Sequence, residues 1–454
     1  MLYASDLITQ YIPWYYITAQ YLHRLQLPAW VPNIYESGYP LLAEGEVGAL
    51  SPINVLILFL FPFPLAVNLL YLTYFAIAAA GTYFFLKLNK LSGLSSLLGA
   101  LIFCLSGYMV TRYFQPSIIF TASLIPLGFY LIQKAQTNQR FAILLAPLIY
   151  LQLAAGHLQI TLIAICSYIV FSLFILIGNS KWKIKFLKLI LAIILGIFLS
   201  AVQLLPSLKL YALSERAGFD PKIRFSYSLP PSQLLTYVKP YAFGISKPGD
   251  DFGFHQFGGG FWEINLTIWT IPFLLSLLPI IIIAKKPRKM IKEHKLIVIL
   301  YLIWIIFTLI SLGGFFKPYR IVAYIPNFPF RAPARFLVVA TFAASSLAAI
   351  GFEKITQNFK KPLRFLLFFL VIGSIAVEQQ KLFQSYVITK NSDEILEKLN
   401  NLAIYPMTTP LVLNENYIGR DLPAIFQHEF KLGLIISLAS LLLLYFWYRV
   451  EKTK

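Results

Sequence analysis

Charge is what this chain has least of. Only 13% of its 454 residues are Asp, Glu, Lys or Arg, where a soluble domain carries about 25%. With 58% hydrophobic residues and a mean hydropathy of +0.71, there is too little polar surface to face water on all sides, which excludes a soluble globular protein. Cysteine is scarce too. Cys104 and Cys166 both lie inside apolar runs, so there is no disulfide framework and no cysteine metal-ligand spacing. Acidic residues number 19 against 38 Lys and Arg, a formal charge of +19. The positives sit in short connections between apolar runs, as topology signals do, and not on one soluble face, which excludes nucleic acid as a partner. There is no GxGxxG, no phosphate loop, no internal repeat and no linker long enough to set off a soluble domain.

What the chain has instead is a series of apolar runs. A span needs about 20 such residues. Runs near 64–86, 93–111, 116–133, 140–155, 158–178, 186–207, 263–284, 296–313, 335–352, 363–380 and 431–449 predict an all-α, polytopic transmembrane helix bundle of about eleven spans. Residues 51–62 are apolar but short and bracketed by Pro52, Pro62 and Pro64, which predicts a re-entrant or interfacial helix.

The connections alternate. One set carries Lys87 and Lys90; Lys134 and Arg140; Lys181 to Lys188; Lys285 to Lys295; Lys354 to Arg364; and the tail with Lys452 and Lys454. By the positive-inside rule these face the cytoplasm, the C-terminus among them. The other set faces outward: 1–62 ahead of the bundle 63–380, its loops 208–262 and 314–334, and 381–430 ahead of the last span and tail, 431–454. All the long polar loops fall on that side, where chemistry is expected. Residues 1–62 are then exported with no preceding span, which leads us to expect that a first transmembrane helix is missing.

Several polar groups gather there. Asp6, with Gln10, Trp14, His23, Trp30 and Asn33, is a carboxylate suited to deprotonate a hydroxyl or hold a divalent cation, or simply a solvated loop residue. Arg112, Arg216, Arg224, Arg331 and Arg335 are outward cations against the topology rule. A guanidinium fork matches a phosphate; the plainer alternative is snorkelling to lipid headgroups. The proline-stiffened pair in FPFRAPARF, Arg331 and Arg335, favours the phosphate. At the turn Gly156-His157-Leu158-Gln159, His157 is a candidate proton carrier, hydroxyl partner or metal ligand, or a helix cap. In loop 208–262, Asp250, Asp251 and His255 are a weaker cation candidate.

The order SDLxxQYxPW, LPAWxPNxxxSGYPLLAEGEVGALSP, LSGY, AGHLQ, LSERAG, SLPPSQLL, KPYAFG and FPFRAPARF resembles the YfhO-like bacterial membrane proteins, grouped with polytopic glycosyltransferases of GT-C type. The resemblance runs from about residue 4 to 355. It implies a GT-C-like bundle in the cytoplasmic membrane, a polyprenyl-phosphate sugar as donor, and a cell-envelope glycan or glycolipid as acceptor. It also implies that the acidic residue opening the first external loop is Asp6. On this expectation Asp6 is the catalytic base, and Arg331, Arg335 and Arg216 hold the lipid phosphate. His157, Gln159, Glu44 and Glu46 then bind or orient sugar and acceptor. Two rivals stand: a transporter or flippase of a lipid-linked substrate, and a non-catalytic membrane scaffold. Transporters show paired halves and mid-membrane charges, which this chain lacks.

Overall fold

A computed structural model describes residues 6–32, 34, 38–214, 221–244, 260–284, 294–325, 328–386 and 422–453. The expectations placed on Arg216, Asn33, Asp250, Asp251, His255 and most of 381–430 lie outside the described residues. Among the described residues the only regular secondary structure is helix, apart from one isolated bridge between Val31 and Tyr39.

Among the described residues seven helices are long and apolar enough to cross a membrane: Phe63–Leu88, Gly93–Thr111, Pro116–Lys134, Leu158–Leu176, Pro333–Thr356, Lys361–Lys381 and Phe426–Glu451. Trp182–Leu199 and Ala201–Leu213, bent by 68° to each other, make an eighth if the pair is taken as one span. Arg140–Ala154, Thr270–Ile281 and Lys295–Ser311 are apolar but shorter. Every run expected to span therefore lies on helix, although three fall below span length. Leucines and phenylalanines such as Leu72, Phe84, Phe369, Leu442 and Phe446 point outward, exposed. A bundle apolar outside as well as inside is made for lipid.

Pro333–Thr356 is the centre of the bundle, with 94% of its apolar window buried. Its run of Ala340, Ala343, Ala344, Ser345, Ser346, Ala348, Ala349 and Gly351 keeps its girth small, so neighbouring backbones close on it from several sides. The tightest approach is at Gly351, where a Cβ would lie 2.0 Å from the Leu275 carbonyl oxygen.

The connections sort to two ends. At one, Arg140 and Lys188 bond the last helix at Glu451, Lys185 Nζ donates to Gln136 O, Lys295 Nζ donates to Ile175 O and Ile177 O, and Arg364 pairs with Glu353 beside Ser92. At the other end lie the polar loops. Residues 52–60 form the short helix expected there.

Two boundaries differ from the sequence reading. The last helix starts at Leu422, not near 431. The span expected from 263 begins at Thr270, after a separate turn Phe261–Ile264. Asn265 Oδ1 accepts from Thr267 N at 3.1 Å and Thr267 Oγ1 accepts from Trp269 N at 2.9 Å. These local bonds offer the backbone an alternative to the helix and hold the intervening residues out of it. Glu263 is thereby placed ahead of the span.

Gly351→Val should lower the thermal midpoint in detergent, since overpacking costs about 1–3 kcal/mol. An unchanged midpoint would mean that the two helices part without cost.

Candidate functional site

The loop-rich end encloses a cavity of about 520 Å³. Glu44 and Glu46 stand on its wall with His157, Gln159, Arg224, Arg331 and Arg335, among Leu158, Leu204, Leu208, Tyr211 and Phe330. Six of the eight expected site residues thus share one space. Asp6 does not line it, and Arg216 is outside the described residues.

Backing the wall, and reaching it through Arg335, lies a buried charge network. Glu263, 1% exposed, receives Arg335 Nη2 at 2.7 Å on one carboxylate oxygen and Arg112 Nη2 at 3.0 Å on the other. Arg335 Nε also donates to Glu263, and its Nη1 reaches Gln159 Oε1 at 3.1 Å. Each nitrogen of the Arg335 guanidinium has a partner. Arg112 stacks on the Tyr108 ring at 3.7 Å and donates to Tyr108 O and Glu263 O. Burial pushes the Glu263 carboxyl up, but Arg335 and then Arg112 outweigh it and hold it down at about 2. Arg112 and Arg335, outward cations in the sequence, thus find their reason in Glu263, which the sequence does not single out. The signal was present: a lone carboxylate opening an apolar run demands a partner.

Local backbone geometry aims Arg335 inward. In RAPAR, Ala332 is left-handed at φ 49 ahead of Pro333, a strained conformation for a residue with a Cβ. The turn leaves the Arg331 carbonyl accepting from Gln159 Nε2 while Arg335 passes into the bundle. Arg224 spans the opposite rim, its Nη1 donating to Ala323 O at 2.6 Å and Ile325 O at 3.0 Å, where the helix Lys317–Ala323 ends and carbonyls favour a cation.

His157 caps the helix Leu158–Leu176, its Nδ1 3.2 Å from the Ile160 backbone N. Its Nε2 lies 3.2 Å from Arg335 Nη1. Both ring nitrogens face N–H groups, which opposes a second proton on the ring. Burial, and next the Arg335 charge, push its pKa well below the ordinary value, so the ring is neutral.

The carboxylates are held by a different set of residues. Glu46 Oε2 accepts from Tyr11 OH at 2.7 Å and Gln10 Nε2 at 3.2 Å, and Tyr39 OH donates to Glu44. The loop beneath them is pinned from three sides. Gln203 Nε2 donates to Leu42 O at 2.9 Å, Ser207 Oγ donates to Ala43 O at 2.6 Å, and Asn54 Nδ2 donates to Val47 O at 3.1 Å. Gly156, at φ +100, closes the fourth side. A Cβ there would lie 2.3 Å from Gly45 O and 2.7 Å from Glu46 Cα, so the turn bearing His157 is interlocked with the loop bearing Glu46. Asp6 is half-buried at the start of the turn that carries Gln10 and Tyr11, and accepts from Gln115 Nε2 at 3.4 Å. His23 Nε2 donates to Phe59 O, away from the cavity. Among the described residues no three of His, Cys, Asp and Glu gather as metal ligands.

No protein-family model matches this chain, and no curated protein matches it either.

Glu263→Gln leaves two arginines buried against a neutral group and should cost about 3–5 kcal/mol, read as a lower thermal midpoint. An unaltered midpoint would deny the network its structural role. Acid stability gives a second expectation. The unfolded chain protonates His157 below about pH 6.5 while the folded ring stays neutral, so stability falls as pH drops from there. Glu263 acts in a lower window: its contribution is complete above about pH 4.3 and lost as pH falls through its folded value near 2. His157→Asn should therefore flatten the slope between about pH 6.5 and 5. An identical slope would assign the titration to another group.

Proposed function

We propose that this chain is a polytopic glycosyltransferase of GT-C type. It moves a sugar from a polyprenyl-phosphate donor to a cell-envelope glycan or glycolipid on the outer face of the cytoplasmic membrane. The observation that carries the reading is the composition of the cavity: arginines, carboxylates and an apolar wall meet in a space of ligand size. Leu158, Leu208 and Tyr211 line it and are exposed, offering an isoprenoid chain an apolar surface. Arg331 and Arg224 supply positive charge for the phosphate, with the charge of Arg335 behind them. Glu44 and Glu46 offer acceptors for sugar or acceptor hydroxyls. The basic connections gather at the opposite end, which the positive-inside rule assigns to the cytoplasm together with the C-terminal tail.

The chemistry asks for little more. A phosphate leaving group needs its growing charge neutralised and needs no proton, and fixed guanidinium groups in a low-dielectric pocket do this with no reorganisation. One displacement at the anomeric carbon inverts its configuration.

The test is transfer of labelled sugar from polyprenyl-phosphate donors by the chain in lipid nanodiscs, alongside binding of a long-chain polyprenyl phosphate. Arg331→Gln should weaken that binding tenfold or more, as loss of a charged hydrogen-bond partner costs about 1.5–3 kcal/mol. Lipid exchange across vesicles with no sugar transfer would establish the transport reading instead.

A further inference from the structure

We infer that Glu46, rather than Asp6, takes the proton from the acceptor hydroxyl. The inference rests on the glycosyl-transfer reading of the cavity. Three observations carry it. Glu46 lines the cavity and Asp6 does not. The Glu46 carboxylate is anchored through one oxygen only: Tyr11 OH and Gln10 Nε2 both donate to Oε2, leaving Oε1 with no hydrogen bond among the described residues. A base needs that asymmetry, one oxygen fixed and the other open to receive a proton. The backbone under Glu46 is held against Gly156, next to His157, so the carboxylate stays on the wall that Arg335 and Gln159 share.

Glu44 is the nearest competitor on that wall, and it accepts from Tyr39 within its own loop. Asp6 enters through the same scaffold at one remove. It opens the turn whose Gln10 and Tyr11 grip Glu46, and so acts as a positioning residue.

The acceptor O–H bond breaks and its proton passes to Glu46 Oε1. The acceptor oxygen forms the new bond to the anomeric carbon. The bond from that carbon to the phosphate oxygen breaks, its electron pair leaving with the polyprenyl phosphate beside Arg331. Glu46 later releases the proton to water.

The experiment measures kcat and KM for transfer from tritiated polyprenyl-phosphate hexoses, with water as default acceptor, and separately binding of unglycosylated polyprenyl phosphate. Glu46→Gln should lower kcat by about 10²–10⁴-fold, the usual worth of a general base, with polyprenyl-phosphate binding retained as proof of folding. Glu46→Asp, which keeps a carboxylate, should recover part of the loss. Tyr11→Phe, which removes one anchor and leaves the carboxylate, should lower kcat with KM unchanged. Asp6→Asn should lose less than Glu46→Gln. Wild-type kcat in Glu46→Gln, or a loss confined to Asp6→Asn, overturns the assignment while leaving glycosyl transfer standing. A wild-type chain that binds no polyprenyl phosphate and transfers no sugar overturns both.

Discussion

Glu263 is the constraint on which the loop-rich end depends. Two buried arginines, Arg112 fully and Arg335 all but its edge on the cavity, would be costly without it, and one carboxylate with two separate oxygens serves both. The bond is also topological. It draws the Gly107–Thr111 helix, the turn Phe261–Ile264 and the RAPAR turn to one point. Arg335 extends the same point to Gln159 and His157, and so to the edge of the cavity. Removing a member leaves the others as uncompensated buried charge, so the arrangement holds as a unit or not at all.

The carboxylate side of the cavity is built on a different principle. Its geometry comes from backbone contact and neutral hydrogen bonds: Gly156 against Gly45, and Gln203 and Ser207 reaching down from Ala201–Leu213. That helix reaches the loop because the span before it breaks at Ser200 by 68°. A break in lipid would expose unpaired backbone groups, but Ser200 is fully buried and Ser437 Oγ accepts from Val202 N at 3.1 Å. Leu208 on the broken half lines the cavity and is exposed, while Leu210 on the same half is buried.

How much of this could be read from sequence divides along physical lines. Helical runs were legible because lipid imposes length and apolarity on each alone. Outward arginines were legible as anomalies, since cations on that side need a cause. The cause was not, because pairing Arg112 with Glu263 across 151 positions requires the fold. For Arg335 the expected phosphate fork meets a guanidinium already committed to Glu263, Gln159 and His157. The start of the span at Thr270 was missed because side chains of Asn265 and Thr267 diverted the backbone, which hydropathy does not register. Glu46 and Asp6 were indistinguishable by residue type and by loop. Only the cavity wall separates them.

The proposed reaction also makes sense of the charge balance at this end. Arg112, Arg224, Arg331 and Arg335 face Glu44, Glu46 and Glu263 in the wall and its backing, while His157 is neutral, leaving one positive charge in excess. A sugar phosphodiester bears one negative charge and matches it. Once the sugar has left, the lipid phosphate monoester carries about −1.5 to −2 at neutral pH, as such groups do. A proton arriving on Glu46 cancels one negative charge of the wall in the same step. The excess positive charge thus rises as the phosphate charge rises, and the balance is kept without any side chain having to move. A base outside the cavity wall would take the proton away from the place where its charge is needed. In a low-dielectric pocket that difference acts on the transition state more than on the bound donor, which is the condition for it to speed the reaction.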